Sequence, residues 1–185
     1  MTRPADNPFA SHRLEAIRFR APGFSLPALL ARLLSGSGRG AIVGPKGSGK
    51  TTLLLELAEA LNAEGHRVVL LRPNTGEPVA PPVVAPGDAL LVDGAGRLGP
   101  ASWLRLLARA RRASLLVVTA HGRTPLRTLF RCVPTPDLAV ELALELTGDA
   151  SFGPHARAAF ARHGGNVREA LRDLYDLARR GTGVV

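Results

Sequence analysis

The sequence predicts an α/β protein whose sheet is mainly parallel. Short apolar stretches alternate with stretches of helical periodicity between residues 36 and 121, a pattern typical of strands joined by crossover helices. The three longer apolar stretches, residues 67–71, 89–93 and 114–119, are apolar nearly throughout, which suits strands covered on both faces. After His121 the pattern changes to helices only, and this change predicts a small helical part at the C-terminal end.

The elements of the N-terminal half follow from local signals. A short alternating run over residues 14–19 predicts a strand. Residues 26–35 predict a helix, because a proline stands in its first turn and a glycine follows its end. Residues 41–43 predict a buried strand, and residues 50–63 predict a helix with leucines on one face, at Leu53, Leu54, Leu57 and Leu61.

The C-terminal half reads mostly as helices. Residues 73–88 contain five prolines and cannot form a regular helix. Residues 103–111 predict a helix, and the leucine spacing places Leu104, Leu107 and Ala108 inward. Four further helices are predicted over residues 125–131, from the cap Thr135 to about Leu146, over 154–163 and over 166–180.

Size and composition fit a folded protein of one domain, or of one domain with a small appended piece. The chain has 185 residues, of which 45% are hydrophobic and 21% charged. No apolar stretch approaches the roughly 18–20 residues that span a bilayer, and the N-terminus lacks the apolar region of a secretion signal. Cys132 is the single cysteine, and no Cys/His cluster has zinc-ligand spacing. We therefore expect a cytoplasmic protein that does not enter a membrane.

The formal net charge of +9 comes almost entirely from arginine. The chain has 22 Arg and 2 Lys, beside abundant Ala, Leu, Gly and Pro, a usage typical of GC-rich genomes. The charge fits either a solvated arginine-rich surface or a patch for an anionic partner. Both lysines, Lys46 and Lys50, lie within five residues of each other, which indicates a place that requires a compact ammonium group.

That place is a glycine-rich loop between a predicted strand and a predicted helix. Residues 44–51 (GPKGSGKT) match the pattern G-x-x-x-x-G-K-[ST], whose backbone N–H groups and following helix N-terminus cradle phosphates. Lys50 is expected to reach the β- and γ-phosphates, and Thr51 to bind Mg²⁺. The candidate nucleotide-binding residues are Gly44, Pro45, Lys46, Gly47, Ser48, Gly49, Lys50, Thr51 and Thr52.

The second candidate is Asp93, which ends the apolar strand 89–93. An acid at this place holds Mg²⁺ in phosphate-binding proteins of this kind, although an aspartate there can also simply cap the turn with Gly94. Many ATPases carry a glutamate directly after it to activate water. No acid occurs here between Asp93 and Asp137, so hydrolysis is expected to be slow, absent or dependent on a partner or a distant carboxylate, with Glu56, Glu59 and Asp88 as candidates.

Further candidates lie at the end of the fourth strand and beyond it. Thr119 or His121 would face the γ-phosphate if this strand lies between the loop strand and the Asp93 strand. Arg168, in the first turn of the last helix, either points to the phosphates or lies on the helix surface. Three arginines at a spacing of four, Arg123, Arg127 and Arg131, form either a solvated face of the helix 125–131 or a finger presented to a neighbouring subunit's nucleotide.

These motifs together resemble the P-loop ATPases of the additional-strand group, AAA-like and STAND-like. The stretches that carry the resemblance are IVGPKGSGKTTLL, LLVDG, LLVVTAH and GGNVREAL. With NPF near the start and ARHGGNVREALRDLYDL at the end, residues 7–180 are similar to small ATP-binding proteins of planctomycete-type bacteria. The resemblance implies a three-layer P-loop sandwich with the Thr119 strand between the other two, a helical lid that contributes Arg168, and adenine held near residues 7–12. Two departures are the proline-rich stretch 73–88 and the missing acid after Asp93.

The expected organisation is an N-terminal segment with a helix on the core (1–35), a P-loop nucleotide-binding core (36–132) and a C-terminal helical lid (133–185). The leading functional hypothesis is an ATPase, or a switch that binds ATP and Mg²⁺ and contacts a protein partner. A kinase for small molecules or nucleotides and an ATP-regulated nucleic-acid-binding module are the alternatives. Only 4% of the residues are aromatic, so the sequence gives little support to nucleic-acid binding through base stacking. Self-association is compatible with the arginine finger hypothesis.

Overall fold

A computed structural model describes residues 7–73 and 83–180. These residues form an α/β fold with a five-stranded, all-parallel sheet and seven α-helices, consistent with a three-layer arrangement. The helices are α1 (Ser11–Glu15), α2 (Leu26–Leu34), α3 (Lys50–Ala63), α4 (Pro100–Ala110), α5 (Pro136–Thr147), α6 (Phe152–Arg162) and α7 (Val167–Arg180). The strands are β1 (Arg39–Val43), β2 (Val68–Leu71), β3 (Ala89–Val92), β4 (Leu115–Ala120) and β5 (Thr128–Arg131).

The strand order is β2-β3-β4-β1-β5. The expected place of the Thr119 strand is therefore confirmed, because β4 pairs with β1 on one side and with β3 on the other. Both β3 and β4 are buried along their whole length, as an apolar run predicts. Strand β2 is only partly buried because it forms an edge of the sheet.

The chain divides into two compact units, which we treat separately. Of the described residues, the sheet unit comprises 23–45, 49–73 and 83–132, and the helical unit comprises 7–22, 46–48 and 133–180. In the sheet unit, side chains of β1, β3 and β4 pack against Leu106 and Ala110 of α4. Helix α3 contacts strands β1 to β4 and buries its leucine face fully, as predicted, at Leu53, Leu54, Leu57 and Leu61.

The helical unit has its own core, built from α5, α6, α7 and the segment around α1. Phe9 and Phe152 lie in ring contact with centroids 5.6 Å apart. Helix α5 begins as predicted, since the Thr135 hydroxyl accepts the backbone N–H of Leu138 at 3.2 Å, and it ends at Gly148 in the left-handed conformation. The last helix, predicted over 166–180, packs its apolar side chains into this core, namely Val167, Ala170, Leu171, Leu174 and Leu177.

Three expectations were wrong. Residues 14–19 contain the end of helix α1 and no strand, so their alternation did not reflect a sheet. Residues 128–131 form strand β5, which pairs in parallel with β1, where a helix over 125–131 was expected. Arg123, Arg127 and Arg131 therefore do not share the face of a helix, and the observation behind an arginine finger is lost.

The third error concerns the inward face of α4. Leu104 is 70% exposed and Ala108 is exposed, whereas Leu106 and Ala110 are buried. The buried side follows Trp103, Leu106, Leu107 and Ala110, which also has helical spacing and places α4 one residue out of phase with the prediction. The proline-rich stretch 73–88 lies partly outside the described residues, and its described part contains a turn before β3.

Gly40 on β1 fills a place where no side chain fits. A Cβ there would lie 2.2 Å from Cγ of Leu129, a buried residue of β5. We expect Gly40→Ala to lower the free energy of unfolding by about 1–3 kcal/mol, because Leu129 must shift inside a packed core. Urea denaturation measures the loss, and Gly122→Ala, where a Cβ meets nothing within 4 Å, is the matched control. Equal losses in the two variants would contradict this packing, and a Leu129→Ala background should reduce the Gly40→Ala loss.

Candidate phosphate and metal site

The loop of residues 44–51 joins β1 to α3, the context that its sequence pattern requires. Gly47 and Gly49 have φ of +72° and +83°, values that side chains other than glycine rarely adopt. Gly49 is the N-cap of α3. Because glycine has no side chain, no side-chain cap accepts a hydrogen bond from the first N–H groups of the helix. Free N–H groups at a helix N-terminus favour an anion, which is the arrangement expected of a phosphate loop.

Lys50 lies inside this loop, while Lys46 is exposed. Lys50 is only 8% exposed, and its Nζ donates a hydrogen bond to the backbone oxygen of Pro45 at 2.5 Å. The same Nζ lies 3.4 Å from Nδ1 of His121, just beyond the end of β4. The ammonium group is thus held next to its own loop, at the carboxyl ends of β1 and β4.

Asp93 anchors a hydrogen-bond network at the end of β3. Its carboxylate accepts the hydroxyl of Thr51 at 3.0 Å and the hydroxyl of Thr119 at 2.7 Å. Thr119 in turn accepts the backbone N–H of Gly94 at 2.7 Å. Three residues that the sequence singled out separately, from α3, β3 and β4, therefore meet at one place.

The surroundings of Thr119 and His121 differ. The Thr119 residue is 1% exposed, and its hydroxyl is engaged with Asp93 and Gly94, so it positions the carboxylate. His121 is exposed and lies beside Lys50. Of the two, His121 is the side chain that solvent and a ligand can reach.

The residues present fit a Mg²⁺ ion that is held partly by the protein and partly by the phosphates of a bound nucleotide. In the described ranges no three His, Cys, Asp or Glu side chains come together to form a metal cage. Thr51 and Asp93 offer a hydroxyl and a carboxylate in contact. Magnesium in nucleotide sites commonly takes one or two protein ligands and completes its shell with phosphates and water.

The tip of the loop belongs to the helical unit. A Cβ on Gly47 would lie 1.7 Å from Oδ1 of Asn166 and 3.3 Å from the backbone N of Arg168, so glycine is required there. Asn166 precedes α7, and its Oδ1 accepts the N–H of Glu169 at 3.3 Å. Arg168 thus has its backbone close to Gly47, while its side chain is exposed. Sequence reasoning missed Asn166, because no pattern links residues so distant in the chain.

Ser48 carries an unusual hydroxyl. The residue is 6% exposed, and among the described residues its Oγ is the buried side-chain oxygen or nitrogen that finds no hydrogen-bond partner. An unpaired buried hydroxyl costs about 1–3 kcal/mol, which a bound acceptor would offset. A phosphate oxygen is such an acceptor.

Asp88 does not belong to this site. It precedes β3, whereas Asp93 follows β3, so the two carboxylates lie at opposite ends of that strand. Arg67 donates two hydrogen bonds to the Asp88 carboxylate, one of them from Nε at 2.8 Å, and the backbone N–H of Ala85 donates another. The Arg67 hydrogen bond, aided by that of Ala85, holds the pKa of Asp88 below its ordinary value. Asp88 is therefore a structural acid and no candidate for activating water.

Residues 7–12, the segment expected near adenine, make several contacts within the helical unit. The Asn7 amide donates to the backbone oxygen of Tyr175 at 2.9 Å, and Asn7 Oδ1 accepts the N–H of Phe9 at 2.9 Å. Phe9 and Ala10 are buried. A role for residues 7–12 in holding adenine stays a prediction.

The sequence matches no model of a protein family, and a search among curated proteins finds no similar protein. Within the described residues, no helix has the length and apolar character needed to cross a bilayer.

Proposed function

We propose that the protein binds ATP with Mg²⁺ at the loop of residues 44–51 and works as a slow ATPase or as a nucleotide-dependent switch. The observation that carries the proposal is the meeting of Lys50, Thr51 and Asp93 beside a glycine loop at the carboxyl ends of β1 and β3. This is the chemistry of an additional-strand P-loop protein, and the strand order β2-β3-β4-β1-β5 supports that assignment. The absence of the N-K-x-D pattern that reads guanine favours ATP over GTP.

Each residue has a defined task in this proposal. The Lys50 ammonium leaves the Pro45 oxygen and binds a phosphate oxygen, an exchange of one acceptor for a charged and stronger one. The loop N–H groups and the N-terminus of α3 bind further phosphate oxygens. Thr51 and Asp93 hold Mg²⁺, which neutralises phosphate charge, and Thr119 keeps the Asp93 carboxylate in place.

Turnover is expected to be slow because the usual water-activating acid is missing. No acid occurs in residues 94–136, and Asp88 lies at the amino end of β3, opposite the end that carries Asp93. His121, exposed beside Lys50, is the side chain that we place nearest to the terminal phosphate. Its imidazole can contact that phosphate or accept a proton from water.

Calorimetry with ATP, ADP and GTP in the presence of Mg²⁺, followed by phosphate release from the same sample, tests the proposal. We expect ATP and ADP to bind, GTP to bind more weakly, and phosphate to appear slowly. Binding without any release identifies a switch, or a kinase that lacks its acceptor. No binding of either adenine nucleotide at millimolar concentration would show that the proposal is wrong.

Arg168 gives a separate prediction. If its side chain senses the γ-phosphate, Arg168→Ala should weaken ATP binding about tenfold while ADP binding changes little, since one charge-assisted hydrogen bond contributes about 1.5–3 kcal/mol. Arg172→Ala, four residues further along the same helix, is the matched control. Equal losses of ATP and ADP affinity in Arg168→Ala would assign the residue to the helix surface.

A further inference from the structure

Among the described residues of the sheet unit, α4 and the turn after it carry a cluster of exposed arginines without a partner. Residues 94–136 contain eight of the 22 arginines and no acid. Four of these arginines lie on α4 or in the turn that follows it, namely Arg105, Arg109, Arg111 and Arg112, and all four are exposed. Within ranges 7–73 and 83–180 none of their side chains forms an ion pair or a hydrogen bond.

In the described part of the helical unit some arginines are paired, whereas Arg168, Arg179 and Arg180 are not. Arg20, Arg157, Arg162 and Arg172 each pair with an aspartate or glutamate at 2.6–3.3 Å. The unpaired arginines of α4 therefore form a surface without internal neutralisation, and a polyanion is its complementary partner.

The spacing of these arginines fits a phosphate backbone. Arg105 and Arg109 are four residues apart and share one face of the helix, and Arg112 continues the same row beyond its end. At about 1.5 Å per residue the row extends roughly 10 Å, a length over which a nucleic-acid duplex presents about six phosphate charges. Leu104, 70% exposed beside Arg105, is the single large apolar side chain exposed on α4.

The surroundings of α4 argue against two other anionic partners. An interfacial helix binds a membrane through its apolar face, but the apolar face of α4 is already packed on the sheet through Leu106 and Ala110. Single-stranded nucleic acid needs exposed aromatic rings for stacking, and the aromatic residue of α4, Trp103, is partly buried in the same cluster. A duplex held by its phosphates needs neither.

We propose that the surface formed by Arg105, Arg109, Arg111 and Arg112 binds the phosphate backbone of a nucleic-acid duplex, without reading its sequence. This function is separate from the nucleotide site and does not depend on it, because none of the four arginines belongs to that site. The helix C-terminus also favours cations, so these arginines contribute to the stability of α4 as well. The test must therefore separate binding from stability.

Fluorescence anisotropy of a labelled 20-base-pair DNA duplex, titrated with the full chain between 25 and 200 mM NaCl, is the measurement. We expect the logarithm of the binding constant to fall linearly with the logarithm of salt, with a slope near −3 or steeper. The triple variant Arg105→Gln, Arg109→Gln, Arg112→Gln should lose about 2.7 of that slope and at least about tenfold in affinity at 50 mM NaCl. Replacing the same three residues with lysine should preserve binding.

The control triple variant is Arg20→Gln, Arg157→Gln, Arg172→Gln, which removes the same net charge from the helical unit. It should retain most of the duplex affinity. Thermal unfolding of every variant checks that the fold persists, and the lysine variant keeps the test decisive if the glutamine variant is unstable. Equal losses in the two glutamine variants, no duplex binding by the natural chain at 25 mM NaCl, or binding to phosphatidylserine vesicles in place of DNA would each overturn the proposal.

Discussion

Lys50→Ala is expected to abolish measurable binding of ATP and ADP. The variant removes the one ammonium group that is buried in the loop, where Nζ now donates to the Pro45 oxygen and lies beside His121. Charge-assisted hydrogen bonds contribute about 1.5–3 kcal/mol each, and Lys50 is expected to make two of them to phosphates, so a loss of at least about a hundredfold follows. Calorimetry with Mg²⁺ and either nucleotide measures it.

Lys46→Ala is the matched control for this result. It removes the other lysine of the chain, from the same loop, and changes the net charge equally, but its side chain is exposed. We expect its nucleotide affinity to stay within about tenfold of the natural chain, since an exposed charge contributes little. An unchanged ATP affinity in Lys50→Ala, or an equal loss in both variants, would show that the phosphates bind elsewhere.

Asp93→Asn is expected to remove the dependence of ATP binding on Mg²⁺. The amide keeps the shape of the side chain, and its single oxygen in the place of Oδ1 can still accept the hydroxyls of Thr51 and Thr119, but it lacks the charge that a divalent cation requires. ATP affinity of the natural chain should fall at least about tenfold when EDTA replaces Mg²⁺, whereas the variant should bind equally weakly in both buffers.

The control for Asp93→Asn is Asp88→Asn, at the other end of the same strand. Asp88 is paired with Arg67 and distant from the loop, so its replacement should lower thermal stability while the response to Mg²⁺ remains. A Mg²⁺ response that survives in Asp93→Asn would move the metal to other ligands. Loss of that response in both variants would trace it to general destabilisation.

Much of the fold was predictable because local and global signals agree. The loop 44–51 requires a strand before it and a helix after it, and the leucines of α3 have a spacing that only one buried face satisfies. The apolar stretches that became β3 and β4 allowed no half-exposed alternative. Capping at Thr135 and the glycine at 148 fixed α5 in the same way.

The errors arose where two patterns fit the same residues. Helix α4 offers one apolar face through Leu104, Leu107 and Ala108 and another through Leu106 and Ala110, and the sheet selects the second. Residues 128–131 are too few to show a period, so they were assigned to a helix with the rest of the C-terminal part, whereas pairing with β1 makes them a strand. Tertiary contacts decide such short segments.

In the candidate site, too, local patterns predicted some features and tertiary contacts decided the others. Lys50, Thr51 and Asp93 were singled out by residue types whose chemistry is specific, whereas the contacts of Lys50 with Pro45 and His121 and of Thr119 with Asp93 depend on how strand ends meet. The close approach of Gly47 to Asn166 depends on packing between distant parts of the chain. No local pattern contains that information.

A crystal structure of the protein with Mg²⁺ and a non-hydrolysable ATP analogue tests most directly whether the loop 44–51 holds phosphates. We expect Nζ of Lys50 to have left the Pro45 oxygen for a phosphate oxygen, with Mg²⁺ beside Thr51 and Asp93. An analogue bound away from this loop, with Lys50 still donating to Pro45, would contradict the assignment of the site and with it the proposed function.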